Sequence, residues 1–280
     1  SRAMSRAVLA MQPSDFLGAL SLTQALLLWG LCAVRIIGAF LLLPLFTQDV
    51  VPPLVRNAIF MSLATLALAL QGPALLHAAI PWDDAWAMLL RFGREVVIGV
   101  AIGFFWAVLL WAFEAAGQII DTKVGATMAQ IVDPLGGHQT SLTGALLSRL
   151  AGWVFMSCGG FMLMVGSLLD SYAMWPLSTP SLSLLPRGQL LFETAFGQLM
   201  LLALIVAAPA LLLSWVMDLS LGLVNRFAPQ LNLSSIASSL KMIAVMWLLW
   251  VQVAFLADLL AGRLLGQPQV LRHLLERMFQ

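Results

Sequence analysis

The sequence predicts an all-α, polytopic helical membrane protein: about six long apolar helices interrupted by two irregular segments that contain glycine and proline. Three observations carry this expectation. Of 280 residues, 61% are hydrophobic and only 10% are charged, against about 25% charged in ordinary soluble domains. Mean hydropathy is +0.96. The apolar residues are gathered into runs of the roughly 20 residues needed to cross the hydrocarbon layer. No polar stretch is long enough to fold by itself, so residues 1–280 read as a single membrane domain.

The elements follow in order. Residues 1–15 form a lead with two arginines but no small-residue cleavage site, so no signal peptide is expected. Ser1 is not a natural start, which makes Met4 or Met11 the expected beginning. Phe16–Phe46 is the first span, interrupted by Arg35 and closed by Pro44. Ala58–Ile80 lies between Pro52-Pro53 and Pro81. Ala85–Phe113 has the most charged start, with Arg91, Arg94 and Glu95. Thr143–Trp175 carries Arg149, and its length, like that of the first run, allows a bent helix or a hairpin. Leu190–Met217 has Glu193 near its start and Pro209 inside. Ile236–Ala261 has Lys241 near its start, and Gly262–Gln280 reads as a short basic amphipathic tail. Lysine and arginine are nearly balanced between the two sides, so the positive-inside rule gives only a lean toward cytoplasmic termini.

Two breaks separate these spans. The first, Glu114 to Thr143, holds Gly117, Gly125, Gly136 and Gly137 among polar residues; the second runs from Asp218 to Lys241 and contains Pro229. Irregular backbone at membrane depth survives only where protein buries it or where it lines a cavity. Two such stretches point to a conduit or a gate rather than a passive anchor.

Charges inside the spans need partners, since each costs roughly 2.5–3.5 kcal/mol at the bilayer centre. Arg91 and Glu95 are four apart and share a helical face. Arg35, Arg149, Glu193 and Lys241 have no partner nearby in sequence and are expected to pair between helices or subunits. Asp218 and Lys241 flank the second break and can pair if the ends of that hairpin meet. Gly99-Val-Ala-Ile-Gly103 is a small-xxx-small pattern that lets another helix approach.

Several function classes are disfavoured. A net charge of +1 with scattered basic residues gives no nucleic-acid footprint. Cys32 and Cys158 sit in apolar runs outside any metal or redox motif, and His77, His138 and His273 lack ligand spacing. Asp83-Asp84 lacks the further acid that a metal–diphosphate site wants, and no Gly-x-Ser-x-Gly elbow is present. The expectation is a non-enzyme without cofactor or metal. The alternative is a secondary transporter of a small solute or ion. Against it, the breaks follow spans three and five, which does not fit two equivalent halves.

The breaks are also where the chain becomes recognisable. Phe92-Gly93-Arg94-Glu95-Val96-Val97-Ile98-Gly99, then Gly117-Gln118 and Val132-Asp133-Pro134, and finally Asn225-Arg226-Phe227-Ala228-Pro229-Gln230-Leu231-Asn232 occur in this order. Together they resemble the SctT/FliR family (YscT/HrcT/SpaR type), export-apparatus membrane subunits of type III secretion systems and flagella. Asp121 and Lys123 depart from the flagellar form, which favours the injectisome branch.

The resemblance implies a pore-forming structural subunit in the bacterial inner membrane, held partly above its plane. Its implied partners are SctR/FliP-like and SctS/FliQ-like subunits, an SctU/FlhB-like switch protein, and unfolded secreted proteins in transit. It also implies a pore plug or gating loop in the first break, with Gly117, Gly125, Met128, Ile131 and Asp133. The second break, with Asn225, Arg226, Pro229, Gln230 and Asn232, is assigned to assembly. The charges Arg35, Arg91, Glu95, Arg149, Glu193, Asp218 and Lys241 then serve helix or subunit pairing.

Overall fold

A computed structural model describes residues 21–46, 51–75, 84–125, 141–177, 188–227 and 234–279. Among them the helices are α1 (Leu22–Leu41), α2 (Pro53–Leu75), α3 (Ala85–Val124), α4 (Leu142–Ser157), α5 (Gly160–Met174), α6 (Gly188–Phe227) and α7 (Ser234–Phe279), with a 3-10 turn at Pro44–Phe46. Five helices are long and apolar enough to cross a membrane, or six spans if α4 and α5 count as one. The chain is a polytopic helical membrane protein.

Local chemistry explains the ends. Ser21 caps α1 through a reciprocal box, its hydroxyl accepting from the Gln24 amide while the Gln24 side chain accepts from Ser21 N–H. Pro53 opens α2, where a missing N–H is harmless. Asp84 caps α3 by accepting from the amides of Trp86 and Ala87 at 3.0 and 3.3 Å. α4 and α5 meet at Gly159, whose φ of 76° suits glycine, and the pair bends by 69° there.

The structure corrects the extent of both breaks. α3 continues to Val124, so Glu114, Gly117, Asp121 and Lys123 are helical. α6 continues to Phe227, so Asp218, Asn225 and Arg226 are helical as well. The residues between, 126–140 and 228–233, lie outside the described residues. The basic tail is not a separate helix: α7 runs through Pro268 to Phe279 without interruption.

The chain divides into two compact units. The first contains α1, α2, α3 to Ala107 and α5 from Met162. Its core is built from Leu28, Cys32, Ile36 and Phe40 on α1, with Ala64 on α2, Ile102 and Trp106 on α3, and Leu168 and Tyr172 on α5. The Phe40 and Phe60 rings lie 5.2 Å apart, and Trp29 donates to the Thr65 hydroxyl at 3.1 Å. The small-xxx-small pair is used inside the chain: a Cβ at Gly99 or Gly103 would strike the α1 backbone at Arg35 or Ala39. Glycine is required there so that α1 and α3 can touch backbone to backbone.

The second unit contains α3 from Val108, α4, α6 and α7 to Val270. One stripe of α6, at Leu199, Leu202, Val206 and Ala210, is buried, as is one stripe of α7 at Val245, Leu249, Leu256, Leu260 and Leu264. The α6 residues are spaced by three or four and the α7 residues by four or seven, as one buried face of a helix must be. The remaining faces are apolar and exposed, including Leu212, Trp215, Leu219, Leu223, Trp247 and Trp250.

Candidate functional site

In the first unit Arg35, Arg91, Arg94 and Glu95 form a buried cluster around the end of α5. Arg35 is fully buried, and its Nε donates to Glu95 Oε2 at 2.5 Å. Nη1 donates to the Ser171 hydroxyl at 3.1 Å and Nη2 to the Trp175 carbonyl at 2.9 Å. The guanidinium lies 4.0 Å over the Tyr172 ring, and Tyr172 in turn donates to the Cys32 carbonyl at 3.0 Å. Arg94 reaches the Pro176 carbonyl at 3.2 Å and Glu95 at 3.7 Å, and Arg91 reaches the Leu177 carbonyl at 2.7 Å.

Three successive carbonyls just past α5, which Pro176 prevents from continuing as helix, thus receive three arginines. Buried backbone carbonyls need donors, and the arginines need oxygens, so each group answers the other. Glu95, read in sequence as a partner for Arg91 four residues away, closes on Arg35 from 60 positions earlier.

The second unit holds a clasp between α3 and α4. Asp121 is buried and accepts from the Ser141 hydroxyl at 2.7 Å, from the Thr143 amide at 3.0 Å and from the Thr143 hydroxyl. Ser141 is the N-cap of α4 and accepts from the Gly144 amide at 2.9 Å. A carboxylate at a helix N-terminus satisfies open N–H groups and complements the helix dipole. One turn earlier, Gly117 meets the backbone of Thr143 and Gly144 so closely that any Cβ would collide. Gly117 is therefore a contact point between helices and not a turn, which corrects its expected role in loop flexibility.

Two residues after Asp121, Lys123 pairs with Asp218 of α6 at 3.3 Å and faces the Trp215 ring at 5.9 Å. Lys241 of α7 reaches the same carboxylate at 2.7 Å. The end of α3 is thus joined to α4 through Asp121 and to the α6–α7 pair through Lys123.

Of the other residues singled out, Gly125 ends α3 with φ at 83°, a conformation that favours glycine. Met128, Ile131, Asp133, Pro229, Gln230 and Asn232 lie outside the described residues. Asn225 and Arg226 are exposed in the last turn of α6, and Arg149 and Glu193 are exposed on α4 and α6. Sequence reading missed Ser141, Thr143, Ser171 and Tyr172. A serine directly ahead of an apolar run is an N-cap signal, and Tyr172 is the chain's sole tyrosine. Nothing local marks Ser171.

Residues 26–266 match the family described as "Bacterial export proteins, family 1". The chain is 33% identical over 219 residues to Yop proteins translocation protein T of Yersinia pestis, covering 78% of this chain and 82% of that one. It is 35% identical over 218 residues to the secretion system apparatus protein SsaT of Salmonella typhimurium, covering 76% and 82%. It is also 28% identical over 201 residues to the flagellar biosynthetic protein FliR of Escherichia coli, covering 71% and 74%. With the match spanning both units and all seven helices in whole or part, the chain belongs to the bacterial export proteins of family 1, the SctT/FliR family.

Proposed function

We propose that the chain is a structural, non-enzymatic subunit of a type III secretion export gate in the bacterial inner membrane. In this reading it assembles with SctR/FliP-like and SctS/FliQ-like subunits, contacts an SctU/FlhB-like switch protein, and helps pass unfolded proteins. The observation that carries it is the similarity to translocation and export proteins over residues 26–266. Helix length supports it. α3 and α6 have 40 residues and α7 has 46. At 1.5 Å per residue they reach about 60–70 Å, roughly twice the ~30 Å hydrocarbon core. Helices of that reach suit a particle that extends beyond the bilayer.

Native mass spectrometry of the protein, mildly solubilised from its own host, tests the assignment. The expected result is a heteromeric particle with two kinds of small helical membrane protein. A lone or self-associated species that shifts mass with a small solute would overturn it in favour of a transporter.

Under the same reading the segment 126–140 closes the conduit when no substrate is present. Its support is the resemblance of the flanking motifs, together with the two fixed ends that the Asp121–Ser141–Thr143 clasp gives it. Deleting Gly125–Gln130 is expected to raise ion conductance of the assembled particle in planar bilayers. Unchanged conductance would sink the plug assignment and leave the subunit assignment standing.

A further inference from the structure

Within the second unit, α3, α6 and α7 line an open groove with a volume of about 200 Å³ that no part of the export-gate reading uses. Its wall is apolar, with Val108, Leu109, Leu202 and Ile205, and three polar side chains line it: Gln198, Arg263 and Gln267. Gln267 is nine-tenths buried, and its amide has no hydrogen-bond partner among the described residues. Arg263 makes no ion pair among the described residues. The exposed Arg263 and Gln198 and the buried amide of Gln267, beside an apolar wall, form a site for an anionic amphiphile.

The position of the groove along the helices selects the kind of amphiphile. It lies at the end of the α6–α7 pair opposite to the Lys123–Asp218–Lys241 cluster. Along α6 the interval from Gln198 to Asp218 contains no other charged residue, and along α7 the interval between Lys241 and Arg263 contains one, the exposed Asp258 five residues before Arg263. At 1.5 Å per residue each polar level is about 30 Å from the other, one hydrocarbon thickness. The two levels therefore sit where the two lipid headgroup layers would lie. We infer that this groove is a site for an anionic phospholipid, with the phosphodiester on Arg263 and the amides of Gln198 and Gln267, and the upper acyl carbons on the apolar wall. A phosphodiester supplies acceptors for these donors, and a headgroup with net negative charge, unlike a zwitterionic one, offsets the charge of the arginine. The inference rests on the interval between the two polar levels of the α6–α7 pair lying across a bilayer, and it does not require the partner subunits of the export-gate reading.

The test is native mass spectrometry of the full chain in mild detergent, with phosphatidylglycerol, phosphatidylethanolamine and inorganic phosphate added separately. Wild type is expected to retain phosphatidylglycerol in preference to phosphatidylethanolamine and to hold no phosphate. Arg263→Gln should lower the retained phosphatidylglycerol about fivefold, the factor carried by one arginine near an anionic headgroup. Gly266→Phe keeps the arginine but fills the groove, since a Cβ at Gly266 meets nothing within 4 Å; it should lower retention at least as much. Equal retention of the two lipids in wild type would overturn the site, as would loss in Arg263→Gln alone, which marks plain surface attraction. Binding of phosphate without lipid would reassign it to a free anion. A photo-reactive residue at Leu201 that captures a protein and not a lipid in native membranes would likewise overturn the proposal.

Discussion

Arg35 offers three nitrogens, and the fold finds an acceptor for each: Glu95, Ser171 and the Trp175 carbonyl. A guanidinium is stable in a dry interior only where each nitrogen finds an acceptor and a carboxylate offsets its charge, and Arg35 has both. Removing one partner leaves the other ionised and buried, so Glu95→Gln should lower stability by about 3–5 kcal/mol. Replacing both, as in Arg35→Met with Glu95→Leu, should recover much of that loss. Denaturant titration in mixed micelles, followed by tryptophan fluorescence, reads both values. A Glu95→Gln effect below about 1 kcal/mol, the level of an exposed pair, would mean the cluster is hydrated. That such charges require partners was legible in the sequence. Their pairing was not, because Arg35 and Glu95 are 60 positions apart and Arg91 offered a nearer solution at helical spacing.

At the level of elements, the glycines of the first break illustrate why helix ends were misread. Gly117 and Gly125 look alike in sequence, yet only Gly125 has a positive φ. Gly117 lies inside the helix, and glycine is needed there because the backbone of Gly144 occupies the space where a side chain would be. The polar residues nearby misled in the same way: Asp121 and Lys123 are not loop residues but the two links from α3 to its neighbours. Turn chemistry and close helix crossings both select glycine, and a single sequence does not separate them. Gly117→Val should therefore act by parting α3 from α4. Hydrogen exchange at the Thr143 and Gly144 amides should rise, with a loss of about 1–3 kcal/mol from overpacking. Gly125→Val should leave those amides protected, because nothing lies within 4 Å of a Cβ there. Similar exchange in the two variants would mean that the crossing does not hold α4 in place.

For the whole molecule, hydropathy made the class plain, since helices this apolar announce a membrane protein whatever their packing. It did not reveal which apolar surface faces lipid. α6 exposes large apolar residues from Phe192 to Phe227, a length of about 50 Å at 1.5 Å per residue. Even a tilt of about 40° shortens that to about 40 Å, still more than the ~30 Å of hydrocarbon. If lipid covers the interval from Gln198 to Asp218, then Leu219, Leu223 and Phe227, with Ile236 and Leu240 on α7, extend past it. Apolar surface beyond the bilayer is stable only against protein. Leu223→Asp should accordingly leave insertion and monomer stability within about 0.5 kcal/mol, the usual range for an exposed position. Its effect should fall on assembly: a charge buried unpaired in an interface lowers affinity by about 2–5 kcal/mol, enough to remove partner subunits on affinity purification. Leu204→Asp, placed in the lipid-facing interval, should instead impair insertion into the membrane. If Leu223→Asp copurified with the same partners in wild-type yield, the end of α6 would be exposed to water and the proposed lipid boundary at Asp218 would have to move.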